Sequence, residues 1–349
     1  MNCLLISLRF FLCISLCINS FPLFSNNKAD SVYYESAFEE LRSMLEKQNY
    51  DFKKAVFTTE NTYSENELEE SIFNEKINSL ITIVKSINRD LKSNSYQKDS
   101  INIFKSYSIC RLFTDTIVVV LDSTFSIIPP YSYNHKDIYG QEDWSNTFVA
   151  KLLITGSGNC RSLAYLYKIL ADEMGVKAHL ALSPNHIYIK QHSKKIGWYN
   201  TELTSGSFPT DGQIMSTGYV SIESIRNGVY MKALTEQESI ALCVFDLAKG
   251  FQRKFKGKNP EFIIKCCDLS LKYFPKNISA MLLKAETLKS ILEEAKLSKE
   301  IDYETLILED KYKSDWEQME NMYMQAYQLG YRPITDEMYE SWLEQINKR

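Results

Sequence analysis

Apolar positions recur at helical spacing along most of this chain, give way to shorter alternating runs in the middle, and then resume. Residues from about 31 to 125 read as helical. Tyr34, Phe38, Leu41 and Leu45 share one face, three or four residues apart. Residues 74–91 carry a second stripe and residues 101–121 a third. Val118-Val119-Val120 suits a strand as well as a helix end, so the close of that stretch reads either way. The polar residues 92–100 read as a loop. Pro129-Pro130 stops the periodicity, and the Tyr- and Asp-rich stretch up to Asp143 reads as loop.

The middle segment differs in period. Residues 148–154 form a short apolar element, followed by the turn Gly156-Ser157-Gly158-Asn159. A helix is predicted from Cys160 to about Met174, with Leu163, Leu166, Tyr167, Leu170 and Met174 on one face and Gly175 as its C-cap. Residues 177–183, 187–190 and 197–203 read as strands. A helix with cysteine at its start therefore precedes a small antiparallel sheet. Residues 216–249 return to helical spacing.

From about residue 250 the pattern becomes helix pairs. Phe262, Ile263, Cys266, Leu269 and Leu271 precede the turn Phe274-Pro275-Lys276-Asn277, and Ala280, Leu283, Ala285 and Leu288 follow it. This order resembles a tetratricopeptide unit, with a half-match at residues 322–331 before Pro333. A plain helical bundle is the competing description. The fold class predicted is α+β. It comprises a helical N-terminal region (residues 26–140), a core with the Cys-bearing helix packed on an antiparallel sheet (141–249), and all-α helix pairs (250–349).

Composition adds limits. Hydrophobic residues make up 44% of the 349, which suits globular domains. The formal charge is −4, and no basic block points to nucleic acid. Residues 1–25 stand apart, with a single charge at Arg9, an apolar run over 10–18, and Asn19, Ser20 and Ser25 near a cut. That pattern reads as a secretory signal, with an uncleaved anchor as the alternative. The apolar run is short of the ~20 residues that a spanning helix needs. No stable membrane span is expected after cleavage, and the mature chain is expected in the periplasm or cell envelope. Lipid attachment at Cys17 is disfavoured, because Leu16 stands where a small residue is needed.

Of eight cysteines, Cys3, Cys13 and Cys17 fall in this leader. Cys110, Cys160, Cys243, Cys266 and Cys267 remain, an odd set that leaves at least one thiol unpaired in a monomer. No CxxC or zinc-ligand spacing occurs, so no metal site or cofactor is expected. The adjacent Cys266 and Cys267 read as buried apolar fillers.

Cys160 carries the candidate chemistry. Asn159 is a good N-cap, which puts the thiol in the first helical turn. The unpaired N–H groups and dipole there favour a thiolate, the nucleophilic form. Gly156 and Gly158 would let backbone approach a substrate closely. A buried structural cysteine is the competing description. His186 follows Ser183-Pro184-Asn185 and shares a strand face with Tyr188 and Lys190. His179 lies within a strand, His192 in a polar loop and His135 in the Tyr-rich loop, so each suits the role of base less well. A hairpin centred on Lys194 would set Glu202 opposite His186, where a carboxylate could orient an imidazole. Asn200 shares the face of Glu202 and is the alternative orienter. A solvated strand carboxylate is the bland description of Glu202.

The order Gly-Asn-Cys, helix, Asn-His at a strand start, and Gly-Trp-Tyr-Asn-Thr-Glu resembles the transglutaminase-like superfamily of papain-type thiol enzymes. It is similar to the bacterial transglutaminase-like proteins with tetratricopeptide-like C-terminal helices. The match covers about residues 143–204. The resemblance implies Cys160 as nucleophile, His186 as base and Glu202 as orienter, although aspartate is usual in that third place. Gln141, Trp144 and Asn146 are candidates for the oxyanion donor. It implies an exported thiol hydrolase or acyltransferase acting on protein or peptide amides, with the C-terminal helices free to hold a protein partner. A catalytically inactive domain that binds peptides is the alternative.

Overall fold

The computed structural model describes residues 5–7, 27–91, 98–121 and 124–333. Apart from Leu5–Ser7, the segment read as a signal up to residue 25 lies outside the described residues, as does most of the polar stretch 92–100. The described residues contain 13 α-helices and sheets of two or three strands, an α+β arrangement. None of the described helices is long and apolar enough to cross a membrane.

In chain order, β1 (Leu5–Ser7) precedes α1 (Asn27–Glu46), α2 (Phe52–Tyr63), α3 (Glu70–Leu91) and α4 (Lys98–Thr114). Two short paired strands follow, β2 (Ile117–Leu121) and β3 (Thr124–Ile128), so the valine run is strand and the third helical stripe ends at Thr114. Next come β4 (Ser132–Tyr133), a single 3₁₀ turn (Trp144–Thr147), α5 (Val149–Thr155), β5 (Ser157–Gly158) and α6 (Cys160–Glu173). The strands β6 (His179–Ser183), β7 (His186–Ser193) and β8 (Gly197–Thr201) follow. Helical structure then returns as α7 (Asp211–Thr217), α8 (Ile222–Arg226), α9 (Glu236–Lys254), α10 (Pro260–Tyr273), α11 (Ile278–Lys299), α12 (Tyr303–Leu306) and α13 (Asp310–Gln328). The helical stretch expected over 216–249 is thus broken twice. Gly218 closes α7, and the Thr235/Glu238 capping box restarts the helix as α9.

Two compact units interleave along the sequence. The first draws on residues up to 33, 67–178 and 188–209; the second on 34–66, 179–187 and the chain from 210.

Within the first unit, α6 packs against α3, α4 and α5. Its apolar face explains this: Leu163, Leu166, Ile169 and Leu170 are fully buried. On partner helices Ile77, Val84, Ile109 and Leu112 are buried to a similar degree. Each such side chain contributes about 1.5–3 kcal/mol over an exposed one. Tyr167 is buried too, and its one hydroxyl proton has two acceptors within reach, Ser106 O (3.1 Å) and Gln191 Oε1 on β7 (3.0 Å), while Gln191 Nε2 donates to Ser106 Oγ (2.8 Å). The polar tip is satisfied, so the ring can sit in the core. Gly175 (φ 63°) ends α6 as expected, with Val176 N bonded to Ala171 O and Gly175 N to Asp172 O, both 2.9 Å. That is the Schellman pattern.

In the second unit α9 packs on α2 and α10, α10 on α11, and α11 on α13. Asn277 caps α11 through Ala280 N (3.2 Å) and also donates to Ser270 Oγ (3.2 Å), which in turn donates to Ala241 O on α9 (2.7 Å). A single turn therefore ties three helices together. Tyr34 meets Phe251 and Phe262 edge-on at 5.0 and 5.9 Å. Cys266 and Cys267 are fully buried, in line with the filler reading.

Candidate functional site

The turn before Cys160 is built from the backbone outward. Gly156 (φ 71°) caps α5 by donating to Leu152 O at 2.9 Å. The next two residues pair in parallel with β4, where Ser132 N donates to Gly156 O and Asn134 N to Gly158 O, both at 2.8 Å. The Tyr-rich loop is thus a brace for the turn. Tyr131 anchors it to α4 by donating from its N–H to Leu112 O (3.0 Å) and by packing its ring 5.6 Å from that of Phe113. Tyr133 in turn packs edge-on against His135 (4.9 Å).

Asn159 adopts extended backbone and its Oδ1 accepts from Arg161 N (3.0 Å) and Ser162 N (3.3 Å), the N-cap expected of it. Gly158 serves a tighter purpose than substrate approach. A Cβ there would lie 2.2 Å from Ser162 Oγ and 3.3 Å from Asn146 O and Leu152 Cδ1. Both glycines are used inside the fold, Gly156 for its left-handed backbone and Gly158 for its missing side chain.

Beneath this turn lies a polar clip. Asn146 O accepts from Asn159 N (3.0 Å) and Ser162 Oγ (3.1 Å). The Asn146 side chain donates through Nδ2 to Asp137 Oδ2 (2.8 Å) and accepts through Oδ1 from Lys151 Nζ (2.7 Å). Lys151 also pairs with Asp143 at 2.5 Å. Asp137, 6% exposed, accepts further bonds from Gln141 N, Glu142 N and Asp143 N at 2.6, 3.2 and 2.9 Å. Burial opposes its charge, but these donors win and hold the carboxyl below the usual aspartate range. Asp137 and Ser162 were missed from sequence. Asp137 stands three residues before Gly140 (φ 62°), an Asx-type turn signal inside a stretch read only as loop.

Cys160 sits half-buried in the first turn of α6. The other four thiols among the described residues are buried. Burial pushes Cys110 up to about 12, with Asp115 adding to the shift, and pushes Cys266 and Cys267 well above the ordinary thiol range. Arg161, next to Cys160, donates to Tyr165 OH (3.1 Å) with its guanidinium over that ring. No family model, curated protein or solved structure matches this chain.

The remaining candidates are placed as follows. Gln141 is exposed and Trp144 half-buried, at the start of the 3₁₀ turn; Asn146 is buried at its centre. His186 opens β7 in the second unit, half-buried, after Asn185 in left-handed backbone (φ 55°). His179 Nδ1 lies 2.9 Å from Leu234 O, and exposed His192 packs against Trp198 at 5.1 Å.

The hairpin register differs from the one expected. Lys190 pairs with Asn200 and Ser193 with Gly197, so the hairpin centres on Lys195 rather than Lys194, and the ladder ends at Ile189–Thr201. The pairing of His186 with Glu202 is not part of it. The cause is turn chemistry. Ser193 Oγ accepts from Lys195 N (3.1 Å) and Ile196 N (3.3 Å), and Gly197 takes φ 77°, which closes a three-residue loop. Glu202 instead bridges Ser207, and its carboxylate accepts from Thr204 N (3.0 Å) and Thr204 Oγ1 (2.7 Å). Asn200 is buried and donates to Pro209 O (3.0 Å). Among the described residues no group of three or more His, Cys, Asp or Glu is disposed to hold a metal ion.

Proposed function

We propose that this chain is an exported cysteine-dependent amide hydrolase or acyltransferase of transglutaminase-like type, acting on protein or peptide substrates. The observation that carries the reading is the contrast among its thiols. Among the five described cysteines, Cys160 alone sits half-exposed at a capped helix start; the others are buried. A helix N-terminus stabilises negative charge, so a thiolate is favoured there. In the proposed reaction the Cys160 sulfur attacks an amide carbonyl carbon, the C–N bond breaks, and His186 delivers the proton to the departing amine. Water resolves the thioester to a carboxylic acid, or an amine resolves it to a new amide. Hydrolysis is the favoured outcome because water is always present. The C-terminal helix pairs, read as tetratricopeptide-like, would serve a protein partner.

A second reading, an inactive module that binds peptides, draws support from the orienters. The Glu202 carboxylate turns to Thr204, and the Asn200 amide turns to Pro209. Labelling with iodoacetamide at pH 7 separates the two. Activation predicts that Cys160 reacts about tenfold faster than an unstructured cysteine peptide, and that His186→Ala brings the rate back to the peptide's. Wild type already at the peptide's rate, with no change in His186→Ala, selects the inactive module.

A further inference from the structure

The loop 137–143 wraps around one buried carboxylate, and that carboxylate is wired to the thiol's turn. Asp137 gathers three backbone N–H groups and the Asn146 amide. Asn146 in turn receives Asn159 N–H and the Ser162 hydroxyl, the residues on either side of Cys160-Arg161. We propose that Asp137 is a positioning residue for Cys160, acting through Asn146 to hold the first turn of the cysteine helix in place. This inference rests on the thiol-enzyme reading of Cys160.

Three physical points support it. Asn146 offers its backbone oxygen to both contacts, so the orientation of its peptide decides whether the turn is held. Its side chain is clamped at both ends, by Asp137 on the amide nitrogen and Lys151 on the amide oxygen. Charge-assisted bonds such as the one from Nδ2 to the carboxylate are about twice as strong as neutral ones. A surface aspartate would not need four donors; a buried one that must stay ionised does. The charged residues beside it on the same elements include Lys136, Glu142, Asp143 and Lys151, of which Asp143 and Lys151 pair with each other.

The experiment compares full-length wild type, Asp137→Asn, Asp137→Glu and Asn146→Ala by amide exchange and by iodoacetamide labelling. Loss of one charge-assisted bond predicts roughly tenfold faster exchange at Asn159 N–H in Asp137→Asn and Asn146→Ala. Labelling of Cys160 should slow by about the same factor, since an ill-held first turn supports a thiolate less well. Asp137→Glu, which keeps the charge, should recover part of both effects. Continued protection of Cys110 from labelling separates lost positioning from lost fold. Unchanged exchange at Asn159 in the folded variants overturns the inference whatever the thiol does. Faster exchange with a wild-type Cys160 that labels at the peptide's rate supports the clip while sinking the thiol-enzyme reading. Should Asp137→Asn not fold, exchange at Asn159 in Asn146→Ala decides between these outcomes.

Discussion

Cys160 and the pair Cys266-Cys267 are the same residue in two settings, and the settings decide what the sulfur can do. Cys266 and Cys267 lie mid-helix in α10, fully buried, where desolvation drives their ionisation far up. Cys110 in α4 follows them. Cys160 stands at a helix start whose neighbouring donors are met by Asn159, and it keeps access to solvent. The buried thiols are embedded in packed helix interiors. The half-buried one is held by a lattice of backbone and amide bonds around a glycine turn. On the proposed reading the reactivity of Cys160 depends on that lattice, so the comparison can be broken by breaking either side.

The largest effect is expected at Gly158. An alanine Cβ would press on Ser162 Oγ at 2.2 Å, and Ser162 cannot swing away without losing its bonds to Asn146 O (3.1 Å) and Asn159 O (3.2 Å). Overpacking of this kind costs about 3 kcal/mol. Urea unfolding of Gly158→Ala should report that loss, and adding Ser162→Ala should return part of it. A wild-type midpoint in Gly158→Ala would mean that the turn is looser than the buried helices it is contrasted with.

What could be read from sequence was local. Asn159 as cap, Gly175 as stop and the two buried cysteines of α10 each follow from neighbours within four residues. The clip under the thiol was not legible, because Asp137 is satisfied mainly by backbone N–H groups, which composition does not reveal. The brace from Ser132 and Asn134 was hidden for the same reason; a parallel pairing across 24 residues leaves no periodic trace. Symmetry about the polar loop predicts a hairpin two residues out of register, because Ser193 and Gly197 set the register by turn chemistry. An even shift keeps Lys190 and Asn200 on their predicted face, yet it removes the pairing that the orienting role of Glu202 requires. The weakest member of the proposed triad is therefore the one whose placement depended on register rather than on local signals.

The buried side of the comparison is tested by pH. The Cys110 thiol is raised from 9.0 to about 12. A group raised on folding stabilises below its unfolded value and loses that contribution as pH climbs towards the folded one. Between pH 9 and 12 the native state retains a proton that the unfolded chain gives up, so stability falls with pH, by on the order of 1 kcal/mol per unit. Urea midpoints of wild type and Cys110→Ala from pH 8 to 10 should therefore converge, with the variant showing the shallower decline. Parallel curves would show that Cys110 does not resist ionisation, and the contrast with Cys160 would lose its electrostatic content.

The smallest effect sharpens the comparison most, because it sets two asparagines at two helix starts against each other. Asn159 is an extended N-cap whose side chain accepts from two backbone N–H groups, one of them on fully buried Ser162. Asn259, at the start of α10, takes left-handed backbone (φ 53°), makes no side-chain cap bond, and precedes Pro260, which has no N–H to satisfy. Asn159 therefore contributes through its amide oxygen and Asn259 through its tolerance of positive φ. Asn159→Ala should lower stability by about 1 kcal/mol. Asn259→Gly should be neutral or slightly stabilising, since glycine adopts that backbone at less strain. The decisive outcome is the sign of the difference in urea midpoint. Equal losses at both sites would mean that the start of the cysteine helix is capped no differently from that of α10, and Cys160 would then differ from the buried thiols only in its exposure.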